Sequence, residues 1–186
     1  MVKENKNKGF SLVELIVVIS IITIMAGGLV SLFGLLSGKH AKQASSGFNT
    51  ALSAIKTETL AKSRGANPDN PDVYIELYTK DGLLMVDLYS YPSGAEGVNK
   101  CVVETKNIGR FSKFVMVYKT STGSEETFAA SDKMILAFNR STAAIMPVKI
   151  NGTDAGNIEY VAFRQGSRGY RISMTALTGK SEYHAE

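Results

Sequence analysis

The chain has 186 residues and a formal net charge of +4, room for one ordinary domain plus an anchor but not for two full domains. Its one cysteine, Cys101, excludes an intramolecular disulfide and a cysteine metal cluster, and its two histidines, His40 and His184, stand far apart, which leaves a histidine zinc site or a Ser-His-Asp or Cys-His catalytic site little to draw on. Half of the net charge lies in the first nine residues (Lys3, Lys6 and Lys8 against Glu4), so the basic balance is weak evidence for a nucleic-acid-binding domain.

Those nine residues, MVKENKNKG, are short, hydrophilic and basic. From Leu12 to Leu36 the chain is apolar with few interruptions: Glu14, Ser20, Thr23, Ser31 and three glycines. As a helix this stretch rises about 38 Å, enough to cross a ~30 Å hydrocarbon core with some tilt. It is too long for the core of a conventional secretory signal peptide, about 7–15 residues. A plain transmembrane anchor leaves Glu14 unexplained, because a charge at the centre of a membrane helix costs about 2.5–3.5 kcal/mol, less near its end. Either headgroups solvate Glu14 at the interface, or it meets a positive partner at its own depth. A cut after Gly9 would supply one, the α-amino group of Phe10, four residues before Glu14 in its own chain or beside it in a neighbour. Charge alone leaves the orientation undecided, with three lysines before the apolar run against Lys39 and Lys42 after it.

The segment Lys8-Gly9-Phe10-Ser11-Leu12-Val13-Glu14-Leu15 resembles the prepilin signature of type IV pilins and type II secretion pseudopilins: Gly, then Phe, then an apolar run with Glu as its fifth residue. The resemblance implies that a prepilin peptidase cuts after Gly9 and methylates the new N-terminus at Phe10, and that Glu14 is the assembly glutamate. It implies a cytoplasmic leader over 1–9, a single-pass membrane helix over 10–38 and an extracytoplasmic remainder that becomes part of an extracellular filament. The implied partners are the prepilin peptidase, other pilin or pseudopilin subunits, a membrane assembly platform and, before assembly, the lipid bilayer. One departure is the missing proline near the middle of the apolar run; Gly27-Gly28 and Gly34 occupy that neighbourhood. They serve equally well as a soft point in the helix or as a close-packing surface.

Helical periodicity continues beyond the apolar run. Ala44, Phe48, Leu52, Ile55 and Thr59 fall on one face. The pattern predicts an amphipathic helix over 39–65 that continues the first, one helix from about Ser11 to about Ser63 and about 80 Å long. Arg64-Gly65-Ala66-Asn67-Pro68 provides the stop. A β-rich head is expected over 66–186. Its predicted strands are Val73–Tyr78, Leu83–Tyr91 after the Lys80-Asp81-Gly82 turn, a short one at Cys101–Val103, then Lys113–Thr120, Met134–Phe138, Ala144–Ile150, Ile158–Arg164 and Tyr170–Leu177. Turns recur about every ten residues, as in packed antiparallel sheets. The expected class is α+β, a long N-terminal helix packed on an antiparallel, β-sandwich-like head.

The segments Ile135–Thr142 and Tyr170–Met174, with Thr178-Gly179-Lys180, resemble the C-terminal half of the minor subunits called the GspH/FimT group. That resemblance implies a minor, tip-proximal subunit of a type IV pilus-like filament. A pseudopilin of a type II secretion or competence (DNA-uptake) system is the alternative. Some FimT-like subunits bind DNA, and Arg164, Arg168, Arg171 and Lys180 fall within the last hairpin beside Tyr170, so these four are the candidate DNA contacts. A solvated hairpin surface is the plainer account of the same cations. No phosphate loop, metal-ligand spacing or nucleophile motif appears, so no catalytic residue, metal or cofactor is expected.

Overall fold

A computed structural model describes residues 12–36, 38–62, 71–91 and 100–186, with side chains on the first helix described as far as Ala26. The chain divides into two units, Met1–Ser37 and Gly38–Glu186. The first contains helix α1 (Leu12–Leu36), whose backbone is helical through Gly27, Gly28 and Gly34. The second contains helix α2 (Lys39–Lys62) and the strands of the head. The single helix expected from Ser11 to Ser63 is therefore two helices. The reason lies at Gly38, whose φ of +83° is outside the right-handed helical region and is reached without steric cost only when there is no Cβ.

Two antiparallel sheets make up the head. The six-stranded sheet uses β1 (Tyr74–Lys80), β2 (Leu83–Ser90), β3 (Cys101–Arg110), β6 (Lys133–Ala137), β7 (Lys149–Ile150) and β8 (Thr153–Asp154) in the order β3-β2-β1-β6-β7-β8. The five-stranded sheet uses β4 (Val115–Thr120), β5 (Glu125–Thr127), β9 (Ile158–Gln165), β10 (Arg168–Thr175) and β11 (Lys180–Ala185) in the order β11-β10-β9-β4-β5. The α+β class is as expected. The Asp-Gly signal forms a tight hairpin, with Asp81 and Gly82 both at positive φ (53° and 73°), the requirement of a type I′ turn.

Besides the short β5 and β8, which the sequence pattern did not predict, three strands differ from expectation. Cys101–Val103 extends to a ten-residue edge strand, β3, on which Ile108 alone is buried; without an alternating apolar face it gives little sequence signal. The strand expected over Ala144–Ile150 contracts to Lys149–Ile150, with a single bridge from Ile145 to Phe138. Pro147 lies within that segment and has no N–H to give to a ladder. The terminal strand β11, KSEYHA, pairs with β10 from Tyr170↔Ala185 to Thr175↔Lys180 and was not expected, because its polar residues carry no core pattern.

The predicted stripe on α2 is the buried face. Ala44, Phe48, Leu52, Ile55 and Thr59 are all buried, together with Ala41, Ser45 and Ala51. The apolar ones among them join one core with Ile75, Leu77, Leu84 and Val86 of one sheet and Met116, Val161, Phe163 and Ile172 of the other. Phe48 is fully buried and its ring centre lies 5.9 Å from that of Phe163, a pair that adds about 0.5–1.5 kcal/mol to the area each ring buries.

The β10–β11 turn has little tolerance. Gly179 has φ +58°, and a Cβ built there would lie 1.9 Å from the carbonyl oxygen of Ala143 and 3.0 Å from the Phe138 ring. Gly179→Ala is expected to destabilise the protein by about 3 kcal/mol, through backbone strain and overpacking together. Urea unfolding would measure this, and an unchanged midpoint would show that the turn is not fixed as described.

Candidate assembly helix and basic hairpin

Glu14 lies in the first turn of α1 and is exposed. Among the described residues no side chain pairs with it. The large apolar side chains described on α1, from Leu12 to Met25, are all exposed, the least of them Val18 at 45%. They lie all round the helix rather than on one stripe, the pattern of a helix meant for apolar surroundings on every side. Its two hydroxyls are satisfied internally: Ser20 Oγ donates to the Ile16 carbonyl and Thr23 Oγ1 to that of Ile19, both at 2.8 Å. That removes the penalty of taking them out of water. Among the described residues no helix is long and apolar enough to cross a membrane; residues 12–26, where side chains are described, rise only about 22 Å. Gly9 and Phe10, the expected cleavage and methylation positions, lie outside the described residues.

The four candidate DNA contacts lie on β9, β10 and β11, and three of them are ion-paired within the head. Arg164 donates Nη2 to Glu125 Oε2 at 2.9 Å and Nε to Glu186 Oε2 at 3.0 Å. Arg171 pairs with Glu186 and stacks on the Tyr160 ring at 4.3 Å. Lys180 pairs with Glu182 at 2.6 Å. Among the described residues Arg168 pairs with no carboxylate; its stem packs against Gly38. A phosphate approaching the other three would have to displace these acids. Sequence reasoning missed the acids because Glu125 reaches Arg164 from another strand 39 positions away, and only the strand order brings them together. Cys101 is exposed and unpaired, and His184 faces Glu182 at 3.6 Å. Among the described residues no group of side chains is arranged to hold a metal ion.

Residues 5–30 match the prokaryotic N-terminal methylation motif. No curated protein and no solved structure matches the chain. The motif spans the Gly9–Phe10 junction and Glu14, and it supports a type IV pilin-like or pseudopilin precursor, with N-methylation and filament assembly. It points to a structural subunit rather than an enzyme, to processing by a prepilin peptidase and to assembly with other pilin subunits. It likewise implies a membrane-anchored precursor and an extracellular filament.

The acids of the hairpin make the head sensitive to low pH. Hydrogen bonds from Arg164 and then Tyr160 hold the Glu125 carboxyl below its ordinary range. Burial pushes Glu186 upward, but Arg164 and Arg171 outweigh it and the net shift is downward. A carboxyl depressed in the folded state contributes stability that is fully present above the unfolded value, about 4.3, and is lost as pH falls through the folded one. The melting temperature is therefore expected to fall as pH drops below about 4.3. Arg164→Met should lower the melting temperature at pH 7 and reduce that acid slope. Melting curves between pH 7 and 2.5 test both, and an unchanged slope would mean that these pairs are too well solvated to matter.

Proposed function

We propose that the chain is the precursor of a minor subunit of a type IV pilus-like filament, cut after Gly9, methylated at Phe10 and assembled through Glu14 and α1. The observation that carries this is the N-terminal methylation motif over residues 5–30, supported by a helix that is apolar on every described side with one acidic residue in its first turn. The chemistry is the neutralisation of charge in an apolar setting. Cleavage creates an ammonium at Phe10, and the Glu14 carboxylate of the same or a neighbouring chain is its counter-ion. The leader stays in the cytoplasm and the head lies outside the membrane. The minor role rests on the resemblance of the head's C-terminal half to the GspH/FimT group. A pseudopilin of a secretion or competence system would use the same N-terminal chemistry.

Replacing Gly9 separates processing from assembly. Gly9→Val should leave an uncut precursor, heavier by its nine-residue leader in intact-mass spectra. Glu14→Leu should be cut normally. It would, however, leave the Phe10 amine unpaired in an apolar environment, at about 2.5–3.5 kcal/mol, lowering incorporation into sheared filaments well over tenfold. Normal incorporation of Glu14→Leu would sink the charge-pairing mechanism. Normal cleavage of Gly9→Val would sink the processing site.

A further inference from the structure

The cations of the head differ in what they touch. Lys62, Lys106, Lys119, Lys133 and Arg164 each reach a carboxylate at 2.8–3.2 Å. Lys56 gives its ammonium to the Gly179 carbonyl at 3.0 Å. Among the described residues, Lys39, Lys42, Lys80, Arg110, Lys113 and Arg168 pair with no carboxylate, and all six are exposed.

The fold gathers these six at one end of the head. Gln165, the last residue of β9, accepts through Oε1 from the His40 N–H at 3.0 Å. Arg168 stands opposite Gln165 in β10, and a Cβ built on Gly38 would lie 3.0 Å from Arg168 Cβ, so Lys39 and Arg168 are close neighbours. A Cβ built on Gly109 would lie 3.6 Å from that of Ala44. That contact brings the end of β3, with Arg110, and the single turn Phe111–Lys113 to the same end of α2. The Phe111 N–H donates to the Gly82 carbonyl at 2.9 Å, which ties in the β1–β2 hairpin and Lys80. Arg140, also without a carboxylate partner among the described residues, follows β6 at the opposite end.

Acids do not neutralise this face. Asp132 accepts from the Ala129 N–H and the Asn151 amide, and Glu186 is held by Arg164 and Arg171. Asp81, exposed at the hairpin turn, stands against six cations. Like charges gathered in this way repel one another, and an anionic surface relieves the repulsion. Nucleic acid and a bilayer with anionic headgroups are both such surfaces. The cations are spread over an end face contributed by a helix start, a strand end and two turns, which suits a plane better than a strand lying in a groove. The apolar run over residues 12–36 also ends three positions before Lys39 in the sequence. We propose that this end of the head is a docking surface for anionic lipid headgroups, which rests on the membrane-anchored reading of the precursor.

The full chain in lipid nanodiscs tests it. A nitroxide is placed at Ser112→Cys on the face, or at Ser141→Cys at the opposite end, with Cys101→Ser to remove the native thiol. Its relaxation by a trace of nickel-chelating lipid reports the docked fraction. Docking at Ser112 is expected in discs containing phosphatidylglycerol, and little in purely zwitterionic discs or at Ser141. Each cation is worth about fivefold at an anionic surface, so Arg110→Gln with Lys113→Gln should lower the docking equilibrium about 25-fold, while Arg140→Gln leaves it unchanged. Raising salt from 0.1 to 1 M, which shortens the screening length from about 10 to about 3 Å, should release the unaltered face and needs no substitution. Equal relaxation at Ser112 in both kinds of disc would overturn the proposal, as would indifference to salt. Immobilisation of the Ser112 label by an added DNA duplex, with no response to anionic lipid, would overturn it in favour of nucleic acid. A chain that enters neither kind of disc would overturn the membrane reading itself, a different failure from entering both and docking in neither.

Discussion

The head is organised by the need to take one face of α2 out of water. Phe48, Leu52 and Ile55 are essentially inaccessible, and fully burying each such side chain is worth about 1.5–3 kcal/mol. Neither sheet does this alone: the helix packs against β1, β2, β3 and β6 of one and β9 and β10 of the other. Phe163 bridges the arrangement, meeting Phe48 on the helix side and Phe114 at 5.6 Å ahead of β4. Removing α2 would open both sheets at once, which is why helix and strands share a single core.

The same requirement explains how β3 ends its sheet. An exposed strand edge invites pairing with another chain, and natural edges are blunted by bulges and inward-pointing charges. β3 has both. Its register against β2 shifts twice, between Leu84 and Met85 and between Leu88 and Tyr89. Glu104 and Lys106 stand opposite the buried Leu88 and Val86, facing a small gap lined by Ala51 and Ala54 of α2, and pair with each other at 3.2 Å. The first shift leaves Ile108 outside the ladder, where it is buried and touches the Gly47 position of α2. An otherwise polar strand is thereby fastened to the helix by one side chain.

What the sequence made legible follows from the periods that burial imposes. The α2 stripe and strands β1, β2, β4, β6, β9 and β10 each present an apolar face to the core, and each was readable from alternation or from a 3.6-residue repeat. β3, β5 and β11 lie at sheet edges and have little to bury, so their pairing is dictated by neighbours rather than by their own pattern. The end of α1 was unreadable for a different reason. The one local signal is Gly38, whose left-handed backbone stands between the two helices, and an acceptor for the first amides of α2, Gln165 Oε1, lies 125 positions from His40. For the candidate site, Glu14 and the Gly9–Phe10 junction could be read because their chemistry is local in sequence. The acids that occupy Arg164 and Arg171 could not, because they meet only across strands.

Several charges on the outer faces of the two sheets are compensated within the head. On the outer face of the six-stranded sheet, Glu76 and Asp87 stand directly opposite each other, an unfavourable pairing of like charges. Each is compensated nearby. Lys133 reaches Glu76 at 2.8 Å, while Tyr78 and Thr105 donate to the nearly buried Asp87 at 3.0 and 2.7 Å. Burial and then the bond to Asp87 raise the Tyr78 hydroxyl above its ordinary value, which keeps it protonated and donating. The outer face of the other sheet does the same with Glu125, Arg164, Glu186 and Arg171. Such networks satisfy themselves and ask little of a ligand. The large unmet requirement among the described residues is the exposed apolar surface of α1 from Leu12 to Met25. Water is a poor solvent for it on every side. A bilayer or a bundle of like helices can accept it, and both are what a membrane-anchored precursor that becomes a filament subunit would provide.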